Sequence, residues 1–172
     1  MTYNLHPIFV HFPIALLLVY SVIKILPFKK WFPKVAWRDL EVLLLFIGVT
    51  GAFLGLATGE TAEHLIRPNR QLVEMHATFA TLSTWLYVVL LIGEVARFVK
   101  INDHLNIKNW SLGYSTLDFI EKIFCNKTFS IVIALLALIT LSVTGLLGGV
   151  ITYGITADPF APLVLSLLGI SL

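Results

Sequence analysis

The stretch TFSIVIALLALITLSVTGLLGGVIT, from Thr128 to Thr152, decides the fold class because it is almost entirely apolar and carries no charged residue. A helix of roughly 17 residues or more with this character is long enough to cross a lipid bilayer. Three further stretches are nearly free of charge: Ile8 to Leu26, Val42 to Gly59 and Ala77 to Gly93. The sequence therefore predicts an all-α integral membrane protein, a four-helix transmembrane bundle in contact with the lipid bilayer.

The overall composition supports this class. Of 172 residues, 58% are apolar and only 13% are charged, and the mean hydropathy is +0.89. A soluble fold of this length could not bury so much apolar surface. The composition excludes a cytosolic enzyme and a nucleic-acid-binding protein that works through a basic face, and the single Cys125 excludes a disulfide-stapled secreted module.

The apolar stretches and their flanking residues predict one membrane domain over residues 1–158. Its four spans are expected at about 6–26, 39–58, 74–97 and 128–153, with a cytoplasmic insert at about 98–127. Leu117, Ile120 and Phe124 mark one face of a helix in that insert, which favours an interfacial helix lying on the membrane. The apolar tail, 159–172, is too short to span comfortably. It is predicted to be re-entrant, interfacial or docked on a partner.

Lysine and arginine residues are concentrated in two connections. The first and third connections hold ten of the twelve basic residues, whereas the second contributes only Arg67 and Arg70. Short basic connections stay on the cytoplasmic side of a membrane. We therefore expect both termini and the second connection to lie outside. In the third connection, Glu94 and Arg97 are three residues apart and are expected to form a local ion pair.

Two stretches of the chain suggest a duplicated helical hairpin. Val49-Thr50-Gly51 with Gly55 and Thr58 has the same spacing as Val143-Thr144-Gly145 with Gly149 and Thr152. A weaker match aligns His11, Ala15 and Leu17 with His76, Ala80 and Leu82. Because each copy would contain two spans, the copies would be parallel and related by an axis along the membrane normal.

Four of the five histidines fall on the outer side in this topology: His6, His11, His64 and His76. Histidines on facing helices of a bundle can hold a cofactor. A six-coordinate b-type haem needs two imidazoles and small residues where the porphyrin meets the helices. His11 and His76 are the predicted axial ligands of haem b. The predicted porphyrin-contacting glycines are Gly51, Gly55, Gly145 and Gly149, and Arg67 and Arg70 could pair with the propionates.

The sequence leaves alternatives open. His11 and His76 could be hydrogen-bonded interior histidines, and His6 and Pro7 could simply cap the first helix. His6, His11, His64 and His76 could instead hold zinc, copper or iron with Glu60, Glu63 or Glu74, although no compact motif supports this. The chain could also be a cofactor-free accessory or assembly subunit of a larger, respiratory membrane complex.

The opening segment Leu5-His6-Pro7-Ile8-Phe9-Val10-His11-Phe12-Pro13-Ile14-Ala15 resembles the His-Pro-x-x-Val-His-Phe-Pro-Ile signature of a bacterial membrane family, domain of unknown function 2231. The resemblance extends through Thr58-Gly59 and His76 to Gly148-Gly149 and Tyr153-Gly154. It implies a four-helix domain of the bacterial inner membrane that is sometimes associated with redox modules. Some members carry a histidine within the final Gly-x-x-Gly-Gly, where this chain has Leu146 and Leu147.

Taken together, these features predict an electron-transfer or accessory subunit rather than a stand-alone enzyme. A single haem near the outer leaflet cannot by itself move electrons across a membrane. Such a subunit would therefore need quinol or a periplasmic redox protein, and it would work with partner subunits or as a homodimer. No nucleic acid is expected as a partner.

Overall fold

The computed structural model describes residues 6–66, 69–102 and 111–170. Within them the chain forms seven α-helices: α1 His6–Ile25, α2 Phe28–Trp31, α3 Trp37–Ile66, α4 Arg70–Asn102, α5 Ser111–Phe124, α6 Lys127–Tyr153 and α7 Ala161–Leu167. Four segments are long and apolar enough to cross a membrane: His6–Ile25, Trp37–Gly59, Arg70–Ile101 and Lys127–Tyr153. The predicted all-α membrane bundle is confirmed.

The four long helices form a ring in the order α1, α3, α4, α6. The most extensive contacts join α1 to α3 and α4 to α6, so each predicted hairpin packs within itself. In this ring α1 and α4 lie diagonally opposite and run in the same direction. We call the end that holds His6 and His76 the histidine end, and the end that holds Lys24 and Glu94 the basic end.

Helix α1 packs against a row of glycines on α3, which we call the glycine ladder: Gly48, Gly51, Gly55 and Gly59. The ladder meets, in order, Leu17, Pro13, Val10 and His6 of α1. A β-carbon at Gly51 would lie only 3.0 Å from Cβ of Pro13. Lipid tails are as apolar as these side chains, so close packing, rather than escape from water, holds such helices together. The glycine ladder therefore fixes the register of α1.

The glycines of α6 have a different environment from those of α3. Among the described residues, a β-carbon added at Gly145 or Gly149 would meet nothing within 4 Å, whereas one at Gly148 would lie 3.2 Å from Cε1 of His76. The spacing shared by the two sequences thus does not correspond to shared packing. The symmetry between the hairpins lies in which helices pair, not in which glycines are covered.

The middle of the bundle is a buried core with a polar contact at its centre. Tyr20 and Tyr87 pack edge to face with ring centroids 6.2 Å apart. The Tyr87 hydroxyl lies 2.7 Å from the Ser21 hydroxyl, and the latter donates to the Leu17 carbonyl. This contact joins α1 directly to α4 across the bundle.

Helix α5, which the sequence analysis expected as an interfacial helix, packs antiparallel along the end of α4. The Lys100 ammonium contacts the carboxylates of Asp118 at 2.6 Å and Glu121 at 2.7 Å. Lys100, with a further contribution from Lys122, holds the pKa of the Asp118 carboxyl below its usual range. Near the bundle, Phe124 sits against Gly93, where a β-carbon would be 2.7 Å from Cβ of Phe124.

The apolar tail packs on its own bundle at the histidine end. Ala161 and Leu165 of α7 are buried against Leu147 and Val150 of α6. The tail thereby closes one side of the histidine end. Its opposite face is apolar and exposed at Phe160, Leu163 and Leu167.

Replacing Gly51 with leucine tests the glycine ladder. The added side chain would collide with the rigid ring of Pro13, and overpacking of this kind costs about 1–3 kcal/mol. We expect Gly51→Leu to lower the thermal unfolding temperature of the purified protein in detergent, and Gly145→Leu, placed in open space, to leave it nearly unchanged. Equal effects from the two variants would contradict the register.

Candidate functional site

His6 lies at the histidine end, where α1 meets α3. Its Nδ1 is 3.0 Å from the Thr58 hydroxyl, which itself donates to the Leu54 carbonyl at 3.0 Å. The backbone of Gly55 provides a further hydrogen bond to this imidazole. Thr58 and Gly55, both on α3, thus fix the orientation of the His6 ring.

His76 is held in an equivalent way on the other hairpin. Its Nδ1 donates to the Thr144 carbonyl of α6 at 3.0 Å. A carbonyl can only accept, so Nε2 of His76 carries the lone pair. The absence of a side chain at Gly148 makes room for this ring.

The two imidazoles lie at the same end of the bundle. They belong to the diagonal pair α1 and α4, both rings are partly buried, and each is within electrostatic range of the other. Metal-ligating histidines are commonly oriented by a hydrogen bond at one ring nitrogen. Of the predicted histidines, His6 and His76 are therefore the two that are both oriented by hydrogen bonds to a neighbouring helix and placed at one end of the bundle.

His11, the predicted partner of His76, lies elsewhere. Its ring is exposed on the outside of α1, and its Nδ1 bonds the Pro7 carbonyl one turn back. Five positions separate His6 from His11, which is about 140° around a helix. Since the face that holds His6 packs on the glycine ladder, His11 points away from the bundle interior.

The other predicted site residues are also dispersed. Gly51 and Gly55 are covered by α1, whereas Gly145 and Gly149 have no described side chain within 4 Å of the position of an added β-carbon. The Arg70 side chain is 88% exposed and pairs with Glu74 at 2.8 Å. Arg67 and the side chains of His64 and Glu60 lie outside the described residues.

A chelate of three or more groups has no support among the described side chains. Within the parts of the chain that the structure describes, no three histidine, cysteine or carboxylate side chains lie close enough to share a metal ion. Of the residues in the alternative outer zinc, copper or iron site, His11 and Glu74 are exposed on the surface, and the side chains of His64 and Glu60 lie outside the described residues.

The basic end contains a buried ionic cluster that the sequence analysis missed. The Lys24 ammonium lies 3.5 Å from Oε2 of Glu41 and 3.7 Å from Oε1 of Glu94. The ammonium of Lys29, on α2, is 2.8 Å from Oε1 of Glu41. Glu41 is 2% exposed and Glu94 is 5% exposed. We call these four residues the ionic cluster.

The ionic cluster changes the pairing expected for Glu94. Glu94 pairs across the bundle with Lys24, whereas Arg97 pairs with Glu121 of α5 at 3.3 Å. The signal was present in the sequence, because Lys24 is a charge inside an otherwise uncharged span. Ionisable residues at membrane depth are costly and usually have a role.

Two neighbouring groups complete the surroundings of the ionic cluster. The Tyr20 hydroxyl is buried without a hydrogen-bond partner among the described residues, and it interacts electrostatically with Glu41 and Glu94. Cys125, in the connection between α5 and α6, is half-buried. Burial, with a smaller contribution from Glu94, raises the pKa of the Cys125 thiol.

Comparison with known families agrees with this architecture. A family model described as "Predicted membrane protein (DUF2231)" matches residues 2–158. The chain belongs to this family. The resemblance seen in the opening motif is thereby confirmed at the level of the family. No curated protein and no solved structure matches the chain significantly.

Replacing Lys24 with methionine tests the ionic cluster. Removing the cation leaves Glu41 and Glu94 buried without their shared partner, and breaking a buried ion pair typically costs about 3–5 kcal/mol. We expect Lys24→Met to unfold in detergent at a much lower temperature than the wild type. Lys30→Met, at an exposed position on α2, serves as the matched control and should change little; similar stability of the two variants would rule out a buried cluster.

Proposed function

We propose that this multi-pass membrane protein is an electron-transfer subunit that binds a b-type haem at the histidine end. His6 and His76 would be its axial ligands. The pairing of two Nδ1-anchored imidazoles on diagonal helices is the observation that carries this proposal. This proposal retains the haem and the ligand His76 that were predicted from the sequence. The second axial ligand changes from His11 to His6.

The chain's own residues fit the donor set of such a site. Thr58 orients the ring of His6, and the Thr144 carbonyl accepts from Nδ1 of His76, which leaves Nε2 of His76 as the base. Second hydrogen bonds of this kind fix ring orientation and raise ligand basicity. A bound haem supplies one-electron chemistry, and its axial ligands help to set the potential.

The surroundings of the pair support exchange with a partner. Arg70 is at the same end and exposed, so its guanidinium could leave Glu74 for a propionate through charge-assisted bonds. A single centre at one end requires a donor or acceptor from the membrane or from the surface. Quinol or a redox protein would fill that role.

A second candidate is a cofactor-free accessory subunit of a membrane complex. The close packing of α1 on the glycine ladder favours it, because Gly51 and Gly55 are already filled by Pro13 and Val10. In this case His6 and His76 would simply satisfy hydrogen bonds within the hairpins. The two candidates differ in whether the purified protein contains porphyrin.

Absorption spectra of protein from haem-replete cells decide between them. The haem proposal predicts reduced-minus-oxidised bands of a low-spin b-type centre in the wild type. We expect His6→Ala and His76→Ala to lose these bands because each removes one axial ligand. His11→Ala should keep them, since its ring faces away from the bundle. A colourless wild-type preparation would eliminate haem binding and leave the accessory function.

We also propose that the histidine end faces the outside of a bacterial inner membrane. The basic end gathers the lysines and arginines of the first and third connections, among them Lys29, Lys30, Arg97 and Lys100. Such residues favour the cytoplasmic side. The haem would then lie near the outer leaflet, with both chain termini on that side.

Reporter fusions after Leu172 test this orientation. Alkaline phosphatase folds into an active enzyme only outside the cytoplasm, whereas green fluorescent protein exported in unfolded form stays dark. We expect an active phosphatase fusion and a dark fluorescent fusion at this position. Fusions within residues 103–110 should behave in the opposite way, and the reverse pattern would invert the topology.

A further inference from the structure

The ionic cluster contains an imbalance of buried charge. Two carboxylates, Glu41 and Glu94, are almost fully buried, and only one ammonium, that of Lys24, lies between them. The second cation, Lys29, sits on the four-residue helix α2 with 54% of its side chain exposed. The buried part of the cluster is therefore one positive charge short whenever Lys29 turns towards solvent.

The two carboxylates are not held equally. Glu41 receives Lys29 at 2.8 Å and Lys24 at 3.5 Å, whereas Glu94 has only Lys24 at 3.7 Å. Among the described residues, neither Oε1 of Glu41 nor Oε2 of Glu94 has a well-oriented hydrogen bond, but the Lys29 ammonium lies 2.8 Å from Oε1 of Glu41 and no cation lies beside Oε2 of Glu94. A buried carboxylate oxygen without a donor is costly unless a proton or another donor reaches it.

Tyr20 is a further buried polar group without a partner in this part of the bundle. Its side chain is only 1% exposed, and its hydroxyl has no hydrogen-bond partner within the described part of the chain. Tyr20 lies one helical turn before Lys24, and its hydroxyl is within electrostatic range of both carboxylates. A tyrosine hydroxyl both donates and accepts. It can therefore bond either a carboxylate or a protonated carboxyl group.

We propose that Glu94 is a proton-binding site, and that Lys29 competes with the proton by entering or leaving the ionic cluster. When Lys29 contacts Glu41, the cluster is neutral and Glu94 shares Lys24. When Lys29 turns outwards, Lys24 moves towards Glu41, and one proton from water binds the Glu94 carboxylate. The charge on the buried groups is then balanced again, and no bond other than the new O–H is formed.

The groups around Glu94 are consistent with proton exchange between Glu94 and water at the basic end. The charged or titratable groups near Glu94 come from several helices. They are Tyr20 and Lys24 from α1, Lys29 from α2, Glu41 from α3, Arg97 from α4, Glu121 from α5, and Cys125 from the α5–α6 connection. The Lys24 side chain is still 14% exposed, which gives water a route to the ammonium. The inference is independent of haem binding at the histidine end.

Infrared spectroscopy of the purified full chain in lipid nanodiscs tests the proposal. A protonated carboxyl group buried in protein gives a carbonyl stretch that is separate from that of carboxylates. We expect this band in the wild type to grow as the pH is lowered, in a range where circular dichroism shows that the fold is intact. Lys29→Gln should increase the band several-fold at a fixed pH, because the competing cation has been removed.

Two variants complete the experiment. Lys30→Gln, next to Lys29 and exposed, should match the wild type, and Glu94→Gln should abolish the band. A band that is absent from both the wild type and Lys29→Gln, or equal in the two, would overturn the proposal. So would a band that survives in Glu94→Gln. If Glu94→Gln fails to fold, the comparison of wild type, Lys29→Gln and Lys30→Gln still decides the question.

Discussion

The packing of α1 on the glycine ladder of α3 is the contact on which the rest of the structure depends. Because the glycines of the ladder have no side chains, α1 can approach α3 closely. The ring of Pro13 packs against Gly51 and so fixes the rotation and the register of α1. That rotation turns His6 towards the bundle and His11 away from it. The same register sets Tyr20 beside Tyr87 and Lys24 beside Glu94. The chemistry at both ends of the bundle thus follows from one helix interface.

Polar groups are distributed along the diagonal between α1 and α4. Imidazoles lie at the histidine end, hydroxyls of Ser21 and Tyr87 lie at the centre, and the ionic cluster lies at the basic end. Each group lies in the apolar interior of the bundle, where the low dielectric constant makes hydrogen bonds and ion pairs stronger than they are in water. The exposed apolar faces of the helices are suited to contact with lipid, whereas these polar groups lie inside the bundle.

The fold class could be predicted from the sequence because it rests on span length and composition. The uncharged apolar segment that ends at Thr152 is long enough to predict a membrane-spanning helix, however the other helices pack around it. The family could be predicted because the segment around His6 and His11 resembles its signature. The choice between those two histidines could not be predicted, since it depends on which face of α1 meets α3.

The predicted repeat illustrates the same limit. Matching Gly51 with Gly145 used spacing alone, and spacing cannot tell a glycine covered by a neighbouring helix from one that faces open space. The ionic cluster was missed for a related reason. Lys24, Glu41 and Glu94 are far apart in sequence and read as helix-end residues, and only the diagonal arrangement of helices makes them neighbours. Helix α5 was expected on the membrane surface because its partners on α4, Lys100 and Arg97, could not be identified from sequence.

The central claim is that His6, and not His11, lies on the inward side of α1 at the end of the bundle that holds His76. Cysteine cross-linking tests it most directly, in full-length protein whose Cys125 has been replaced by serine. With a short bifunctional maleimide, the pair His6→Cys and His76→Cys should cross-link within one chain in the membrane, and the pair His11→Cys and His76→Cys should not. Cross-linking of the second pair without the first would contradict the register and, with it, the assignment of both ends of the bundle.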